Sequence, residues 1–326
     1  MIEMNLAALE RAAALVHRVI RPTPQYSWPL LNARAGCELW VKHENHTPIG
    51  AFKVRGGLVL LDSLKSRPGF RGVISATRGN HGQSLAFAAA RAGARCVILV
   101  PHGNSREKNA AMRALGAQLV EHGRDFDEAR ERASALAAGE GLEFVGPFRP
   151  ELVAGVASYA LELFRGAPPL DAVYVPIGCG SGICGLIHAR DALGLATRII
   201  GVVSASANAY ARSFGARSAI ETASAVTIAD GMAVRVPVPA ALEVIFRGAE
   251  RIVEVTDAGI AAAMRHFFTD THNVAEGAGA APLAAALQER ERWHGARVGV
   301  ILSGGNVDRE IFARVLADPP ARPPVE

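Results

Sequence analysis

Val173-Tyr-Val-Pro-Ile-Gly-Cys-Gly-Ser-Gly-Ile-Cys-Gly185 reads as a strand, a glycine loop and the first turn of a helix. The apolar, β-branched run ends at Pro176. Beyond it Gly178, Gly180 and Gly182 let the main chain turn tightly and aim successive N–H groups at one spot. Placed at a helix N-terminus, such a loop, with Cys179 and Ser181 inside it, favours a phosphate dianion. It is not a Walker loop, because no Gly-Lys-Ser/Thr follows. Nor is it a dinucleotide fingerprint, since the next strand ends Gly201-Val-Val-Ser and supplies no carboxylate for a ribose. A phosphate cup without a nucleotide signature points to a smaller phosphorylated cofactor; plain turn glycines are the competing reading.

Outward from this loop, short β-branched runs alternate with longer alanine-rich stretches. Strands are expected at Glu38–Lys42, Gly72–Ser75, Cys96–Val100, Gln118–Glu121, Ala172–Pro176, Ile199–Val203, Arg251–Val255 and Val298–Leu302. Helices are expected at His81–Ala92, Arg106–Leu115, Asp125–Ala138, Leu152–Phe164 and Ala275–Glu291. This alternation predicts an α/β fold with mostly parallel, open twisted sheets and no barrel. The stretch from Arg71 to Gly146 repeats a strand–helix unit about three times and reads as a small sheet of its own, with Gly146-Pro147 as a crossing point.

A chain of 326 residues, half of them apolar and 20% charged, is globular and long enough for two ordinary domains. The formal charge of +4 is spread along the chain with no basic block. That leaves little support for a nucleic-acid partner or a membrane surface, and suits a small anionic molecule better. Cys37, Cys96, Cys179 and Cys184 form no CxxC pair, which suggests a reduced, cytoplasmic protein with buried thiols. Met1–Arg21, carrying Glu3, Glu10, Arg11 and Arg18, reads as an amphipathic helix rather than a secretory signal, and no stretch is apolar enough to span a bilayer. Pro319–Pro324 reads as a frayed tail. His43, His46, His81 and His272 show no metal spacing, and Arg130, in the charged run Asp125–Arg132, reads as part of a solvated face.

Lys53 lies in Asn45-His-Thr-Pro-Ile-Gly-Ala-Phe-Lys-Val-Arg-Gly-Gly, just before an apolar helical pattern. At the opening of a helix and next to Phe52, its amine can rest near an apolar wall and lose its proton more easily. A solvated surface lysine looks the same locally. Ser303-Gly304-Gly305-Asn306 ends the apolar strand Val298–Leu302, and Thr77-Arg78-Gly79-Asn80-His81 likewise ends a strand and starts a helix. Open α/β sheets bind ligands at strand C-termini, so these segments point to one shared cleft.

In their order these segments resemble the fold-type II pyridoxal-phosphate (PLP) enzymes, most closely the threonine/serine dehydratase (ammonia-lyase) group that includes serine racemase. The similarity runs from about residue 20 to 310. It is carried by Phe52-Lys53 with Arg55-Gly56, Gly79-Asn80-His81-Gly82-Gln83, the cup Gly178–Gly182 and Asp230-Gly231. Glu276 in Glu-Gly-Ala-Gly-Ala-Ala and Ser303–Asn306 complete the set. The resemblance implies two open twisted, mostly parallel sheets with helices on both faces. Residues 1–69 and 150–326 would form a large PLP-binding domain, and 70–149 a small inserted α/β domain. It also implies a cytoplasmic homodimer.

The same resemblance implies a role for each matched residue. Lys53 would hold the cofactor covalently and serve as catalytic base. Phe52, Gly231 and Glu276 would line the cofactor, Asn80 would bond its ring hydroxyl, and Ser303 would face its pyridine nitrogen. Gly178, Cys179, Gly180, Ser181 and Gly182 would hold its phosphate. Thr77, Arg78, Gly79, Asn80 and His81 would bind the substrate carboxylate. The implied reaction is β-elimination on a 3-hydroxy amino acid (threonine, serine, 3-phenylserine or 3-hydroxyaspartate) to a 2-oxo acid and ammonia. A serine at the pyridine nitrogen does not hold a full pyridinium as an aspartate would, which favours elimination over transamination. Racemisation, β-replacement, or PLP binding without turnover are the alternatives.

The sequence departs from the family in three places. Arg78 stands directly before Gly79-Asn80, where small residues are usual and where serine racemase has a serine, so racemisation is not expected. The stretch Gly201-Val-Val-Ser-Ala-Ser-Ala-Asn lacks the carboxylates of a cation site found in some relatives, so no divalent metal is expected. Only about twenty residues follow the Ser303 motif, so feedback through a C-terminal regulatory domain is not expected.

Overall fold

A computed structural model describes residues 4–124 and 126–317. The strands are β1 (Gln25–Ser27), β2 (Glu38–His43), β3 (Gly72–Ala76), β4 (Arg95–Val100), β5 (Gln118–Glu121), β6 (Glu143–Phe144), β7 (Ala172–Pro176), β8 (Arg198–Ser204), β9 (Arg251–Val255) and β10 (Arg297–Leu302). The first helices are α1 (Leu6–His17), α2 (Pro29–Ala35), α3 (Lys53–Lys65), α4 (Asn80–Ala92), α5 (Arg106–Ala114), α6 (Phe126–Glu140) and α7 (Pro150–Gly166). They are followed by α8 (Ser181–Ala192), α9 (Ala209–Ala216), α10 (Pro239–Gly248), α11 (Asp257–Thr271), α12 (Gly277–Gln288) and α13 (Arg309–Ala317). The expected N-terminal helix is present as α1, with residues 1–3 outside the described part. Asp125 and the proline run Pro319–Pro324 also lie outside it.

The strands form two sheets. A six-stranded sheet has the order β1-β2-β10-β7-β8-β9, and a four-stranded one the order β5-β4-β3-β6. Pairing is parallel throughout, except that the short edge strand β1 runs antiparallel to β2. The chain leaves the large sheet after β2, builds the whole small sheet, and returns at β7. Both sheets reverse their order where function is expected. In the large sheet β7 has β8 on one side and β10 on the other, and in the small sheet β3 lies between β4 and β6. The loops leaving β7 and β3 therefore open into crevices at topological switch points, the place where parallel sheets take ligands. No helix among the described residues is long and apolar enough to cross a membrane.

The expected strands are all present to within a residue. The two that were not foreseen, β1 and β6, are three and two residues long, too short to show an alternating pattern. The helix expected over Ala275–Glu291 is shorter at both ends, and its Pro282 is accommodated inside a helix that is apolar up to its last residue, Gln288.

Packing follows the periodicities. The α1 helix starts where the Asn5 side chain accepts from the Ala8 N–H (3.0 Å), and it buries Leu9, Ala12, Ala13 and Val16. In α6 the buried residues are Ala129, Ala133 and Ala137, four apart, against Ile74, Ala76, Val97 and Leu99 of the small sheet. Three glycines let helices touch main chain to main chain. A Cβ at Gly56 would lie 2.8 Å from the Leu152 carbonyl of α7, and one at Gly155 would lie 2.3 Å from the Arg55 carbonyl. A Cβ at Gly57 would meet the Ser84 carbonyl of α4 at 2.8 Å. The helix that begins at Lys53 is thus clamped between α4 and α7.

Candidate active site

Lys53 is the first residue of α3, and the preceding Phe52 N–H is anchored on the Ser303 carbonyl at the end of β10 (3.0 Å). Ser84 of α4 donates to the Lys53 carbonyl at 2.6 Å. The base of the side chain is therefore tied to both sheets. Its amine donates to Ser181 Oγ at 3.1 Å and sits 5.0 Å from the centre of the Phe52 ring. Burial lowers the Lys53 pKa below the ordinary lysine range, opposed by Cys179 and Glu276. Burial thus favours the neutral amine, the form that attacks a carbonyl or accepts a proton.

Ser181 opens α8, and the loop before it is the glycine cup. Gly180 has φ +94°, a left-handed conformation suited to glycine, and a Cβ there would lie 2.6 Å from the Ala241 Cβ. A Cβ at Gly178 would lie 2.2 Å from the Gly231 carbonyl. Tyr159 of α7 donates to the Gly182 carbonyl at 3.1 Å and steadies the first helical turn. The first helical bond runs from the Cys184 N–H to the Gly180 carbonyl, so the N–H groups of Ser181, Gly182 and Ile183 have no partner inside the helix. Cys179 is held protonated by burial, which Lys53 opposes.

Across the cleft, α4 likewise presents its free first-turn N–H groups, since its first bond runs from Gln83 to the Gly79 carbonyl. Thr77 is buried and accepts from the Gly79 N–H (3.0 Å), which shapes the turn. Arg78 is exposed and makes no ion pair or hydrogen bond among the described residues. The His81 ring faces the Val145 carbonyl (3.4 Å), and burial, with Lys53 adding to it, lowers its pKa to about 3. It is a neutral wall; what His81 offers an anion is its main-chain N–H. Arg130 pairs with Asp127 on the exposed side of α6 (3.2 Å).

Asn80 is held from two sides. Its Nδ2 donates to Glu276 Oε1 at 2.7 Å, and its Oδ1 accepts from Asn306 Nδ2 at 2.9 Å. Glu276 precedes α12, and its N–H donates to the Gly304 carbonyl (3.1 Å). Ser303 is buried, and its hydroxyl has no protein partner among the described residues. The structure thus brings Lys53, Ser181, Asn80, Glu276 and Ser303 to one place, with Gly231 against the cup.

Two features were not read from the sequence. Lys108, in α5, puts its ammonium 2.6 Å from Asp230 and 3.4 Å from Glu276, while its stem covers Gly79. Its neighbours Arg106, Glu107 and Asn109 make α5 look like a solvated helix; only its place just beyond the end of β4 hinted at the cleft. The second feature lies behind Lys53. Arg55 is wholly buried and bonds both Glu44 (2.6 Å) and Glu162 (2.6 Å), while Lys42 donates to Glu162 (2.6 Å). The clue was Arg55 inside an apolar helix, but its partners lie far off in sequence.

The chain matches the family model described as "Pyridoxal-phosphate dependent enzyme" over residues 16–304. It is 31% identical to the L-threonine ammonia-lyase of Thermotoga maritima, over 96% of this chain and 78% of that protein. It is 30% identical to the L-threo-3-hydroxyaspartate ammonia-lyase of Saccharomyces cerevisiae, over 94% of each. Its fold superposes on maize serine racemase with a TM-score of 0.90 at 26% identity, covering 95% of this chain and 96% of that one. The chain belongs to the pyridoxal-phosphate-dependent enzymes, and pyridoxal phosphate is its cofactor. The fold expected from the sequence, two mostly parallel α/β sheets, holds. The residues present fit the group: a bare main-chain cup at a helix N-terminus for a phosphate, a desolvated amine beside it, and, at Ser303, a hydroxyl with no protein partner among the described residues.

Proposed function

We propose that this enzyme is a dehydratase of the ammonia-lyase type, converting a 3-hydroxy amino acid to a 2-oxo acid and ammonia by β-elimination. The observation that carries this reading is the Lys53 amine, desolvated and 3.1 Å from Ser181 at the mouth of the cup. In this reading the cup from Gly178 to Gly182 grips the cofactor phosphate, while Phe52, Gly231 and Glu276 line the cofactor and Asn80 bonds its ring hydroxyl. Asn80 Nδ2 carries two N–H groups and spends one on Glu276, so one remains for that contact. The Ser303 hydroxyl would face the ring nitrogen. The bound cofactor supplies the electron sink for the pair left when the Cα–H bond breaks.

The protein supplies orientation and proton transfer. The first-turn N–H groups of α4, with Thr77 and Arg78 beside them, hold the substrate carboxylate and fix Cα near Lys53. The Lys53 amine takes the Cα proton, and its burial, which favours the neutral form, eases that transfer. The β-hydroxyl leaves with a proton as water; hydrolysis of the nitrogen-bearing product returns that water and yields ammonia and the 2-oxo acid. Relatives with names such as L-threonine ammonia-lyase and L-threo-3-hydroxyaspartate ammonia-lyase support the reaction class and leave the β-substituent open.

The reading extends to architecture. Residues 1–69 and 150–326 form the PLP-binding domain and 70–149 the inserted one, as the chain's excursion to the small sheet supports. The protein is a cytoplasmic homodimer. Four free cysteines support the compartment, and the exposed hydrophobic side chains of Tyr26, Leu30 and Phe268 support a partner surface. Light scattering checks the dimer. The deciding assay is a panel of 3-hydroxy amino acids with oxo acid and ammonia both measured. Equal yields of the two are expected; conversion of one enantiomer to the other without either product would replace the dehydratase by a racemase.

A further inference from the structure

Glu276 is buried, at 3% exposure, and both its oxygens are occupied: Oε1 accepts from Asn80 and Oε2 from Lys108. Burial pushes its pKa up and the nearby Asp230 charge adds to that, while Lys108 and Asn80 pull it back. Asp230 is nearer to the Lys108 ammonium but is about one-third exposed, where water screens it. The Glu276 carboxylate is enclosed and feels the ammonium more strongly, despite the longer 3.4 Å separation.

The charge state of Glu276 matters to its other partner. A carboxylate only accepts, so the amide facing it must present N–H. That is the orientation in place: Asn80 gives Nδ2 to Glu276 and receives Asn306 Nδ2 on Oδ1. A neutral carboxyl group can donate as well as accept. Facing it, the Asn80 amide would be correctly oriented from the Asn306 side alone, and its spare N–H would no longer be presented in one direction.

We propose that Lys108 is a positioning residue whose ammonium pins the Glu276 carboxylate, and that Glu276 in turn fixes which way round Asn80 meets the cofactor. The chain of contacts runs from α5 of the small sheet through the residue preceding α12 and back to the first residue of α4. In this role Lys108 acts on the cofactor through its neighbour Glu276. A second consequence is local: the Lys108 stem lies over Gly79, so the same side chain covers the turn that leads into α4.

This rests on the reading of Asn80 as a cofactor ligand, so the test separates the two. Pyridoxal phosphate is titrated into cofactor-stripped protein, and the visible band of each reloaded holoenzyme is recorded. Asn80→Ala must weaken cofactor binding and shift the band; if it does neither, the reading of Asn80 fails. Lys108→Met is expected to weaken binding roughly tenfold and shift the band in the same direction, with Lys108→Arg restoring most of both. In a Glu276→Gln background Lys108→Met should add less than about twofold, because the path runs through Glu276. Should the methionine variant not fold, Lys108→Gln, polar but uncharged, gives the same comparison, with the melting temperature of the stripped protein as the control. Full additivity with Glu276→Gln, or an Asp230→Asn variant that reproduces the Lys108 effect while Glu276→Gln has none, would overturn the proposal and leave Lys108 as a cross-link between α5 and the Asp230 turn.

Discussion

Two buried charge clusters flank Lys53 and are built on opposite rules. Behind it, Arg55 and Lys42 meet Glu44 and Glu162, two cations for two carboxylates, none more than 7% exposed. In front, a single ammonium, Lys108, faces two carboxylates, and one of these, Asp230, is open to water. The rear cluster is balanced and closed except where His17, 34% exposed, reaches Glu162 Oε1 at 2.8 Å. Arg55 is held charged by Glu44 and Glu162 against the cost of burial, and its neighbours leave it one geometry. The forward cluster is unbalanced and has a side facing the cleft. Closure suits a scaffold that sets where α3 begins; imbalance suits a site that must respond to a cofactor and a substrate.

Breaking the rear cluster should give the largest effect. Arg55→Met strands the buried Glu44 carboxylate and leaves Glu162 to Lys42 and His17, and a loss of about 3–5 kcal/mol in unfolding free energy is expected from urea titration of the cofactor-stripped protein. A loss below about 1 kcal/mol would put the cluster on a par with surface pairs and erase the contrast.

Acid should attack the rear cluster next. Burial would raise the Glu162 pKa, but Arg55 and Lys42 overcome it and hold it at about 2. A carboxyl depressed in the folded state stabilises the fold above its ordinary value near 4.5 and loses that contribution as pH falls toward about 2. The expected outcome is a steep fall in melting temperature between those limits for the natural protein. In Glu162→Gln, already less stable, the fall should be shallower.

The cleft side is sharpened by Arg78. Arg78→Ala should leave the melting temperature nearly unchanged, because the side chain is exposed and unpaired among the described residues. The substrate KM should rise roughly tenfold if the guanidinium binds the carboxylate. With the natural enzyme, chiral chromatography of residual substrate should show no opposite Cα configuration, since a guanidinium is a poor general base. An unchanged KM would move the carboxylate contact to the α4 main chain alone.

The smallest effect is expected from metal removal. Strand β8 ends in Ser204, whose hydroxyl donates to Asp257 (3.3 Å), and Asp257 also accepts from Thr227 (2.5 Å) and the Ile228 N–H (3.1 Å). Among the described residues no group of histidine, cysteine or carboxylate side chains could hold a metal ion here, and activity with and without chelator should agree. A loss reversed by magnesium would contradict that.

Legibility followed the range of the interactions involved. Parallel strands buried on both faces betray themselves locally as unbroken β-branched runs, so β7, β8 and β10 were plain in the sequence. Glycine loops at strand ends are also local, and Lys53 with the cup could be marked before their contact was known. Lys108 was not legible, because its burial depends on Asp230 and Glu276, which are more than one hundred residues away. The Arg55 cluster was half legible. An arginine in an apolar helix is a signal, yet its partners arrive from β2's end and from α7. His81 shows the converse: the motif singled out the residue, but only the fold turns its ring to Val145 and leaves its main chain toward the cleft.

The main-chain contacts at Gly56, Gly57 and Gly155 also bear on how such a protein can change over generations. At these points the helix carrying Lys53 comes within reach of its neighbours' main chain, so even one added carbon there requires backbone to move. Variation there is barred almost whatever its chemistry. The turn from Thr77 to Gly79 is constrained differently, since Arg78 projects into open space and can be exchanged without repacking a helix. Heritable novelty is thereby channelled to the rim of the cleft. A new substrate preference can arise there by single substitutions while the grip on the cofactor passes unaltered to the descendants.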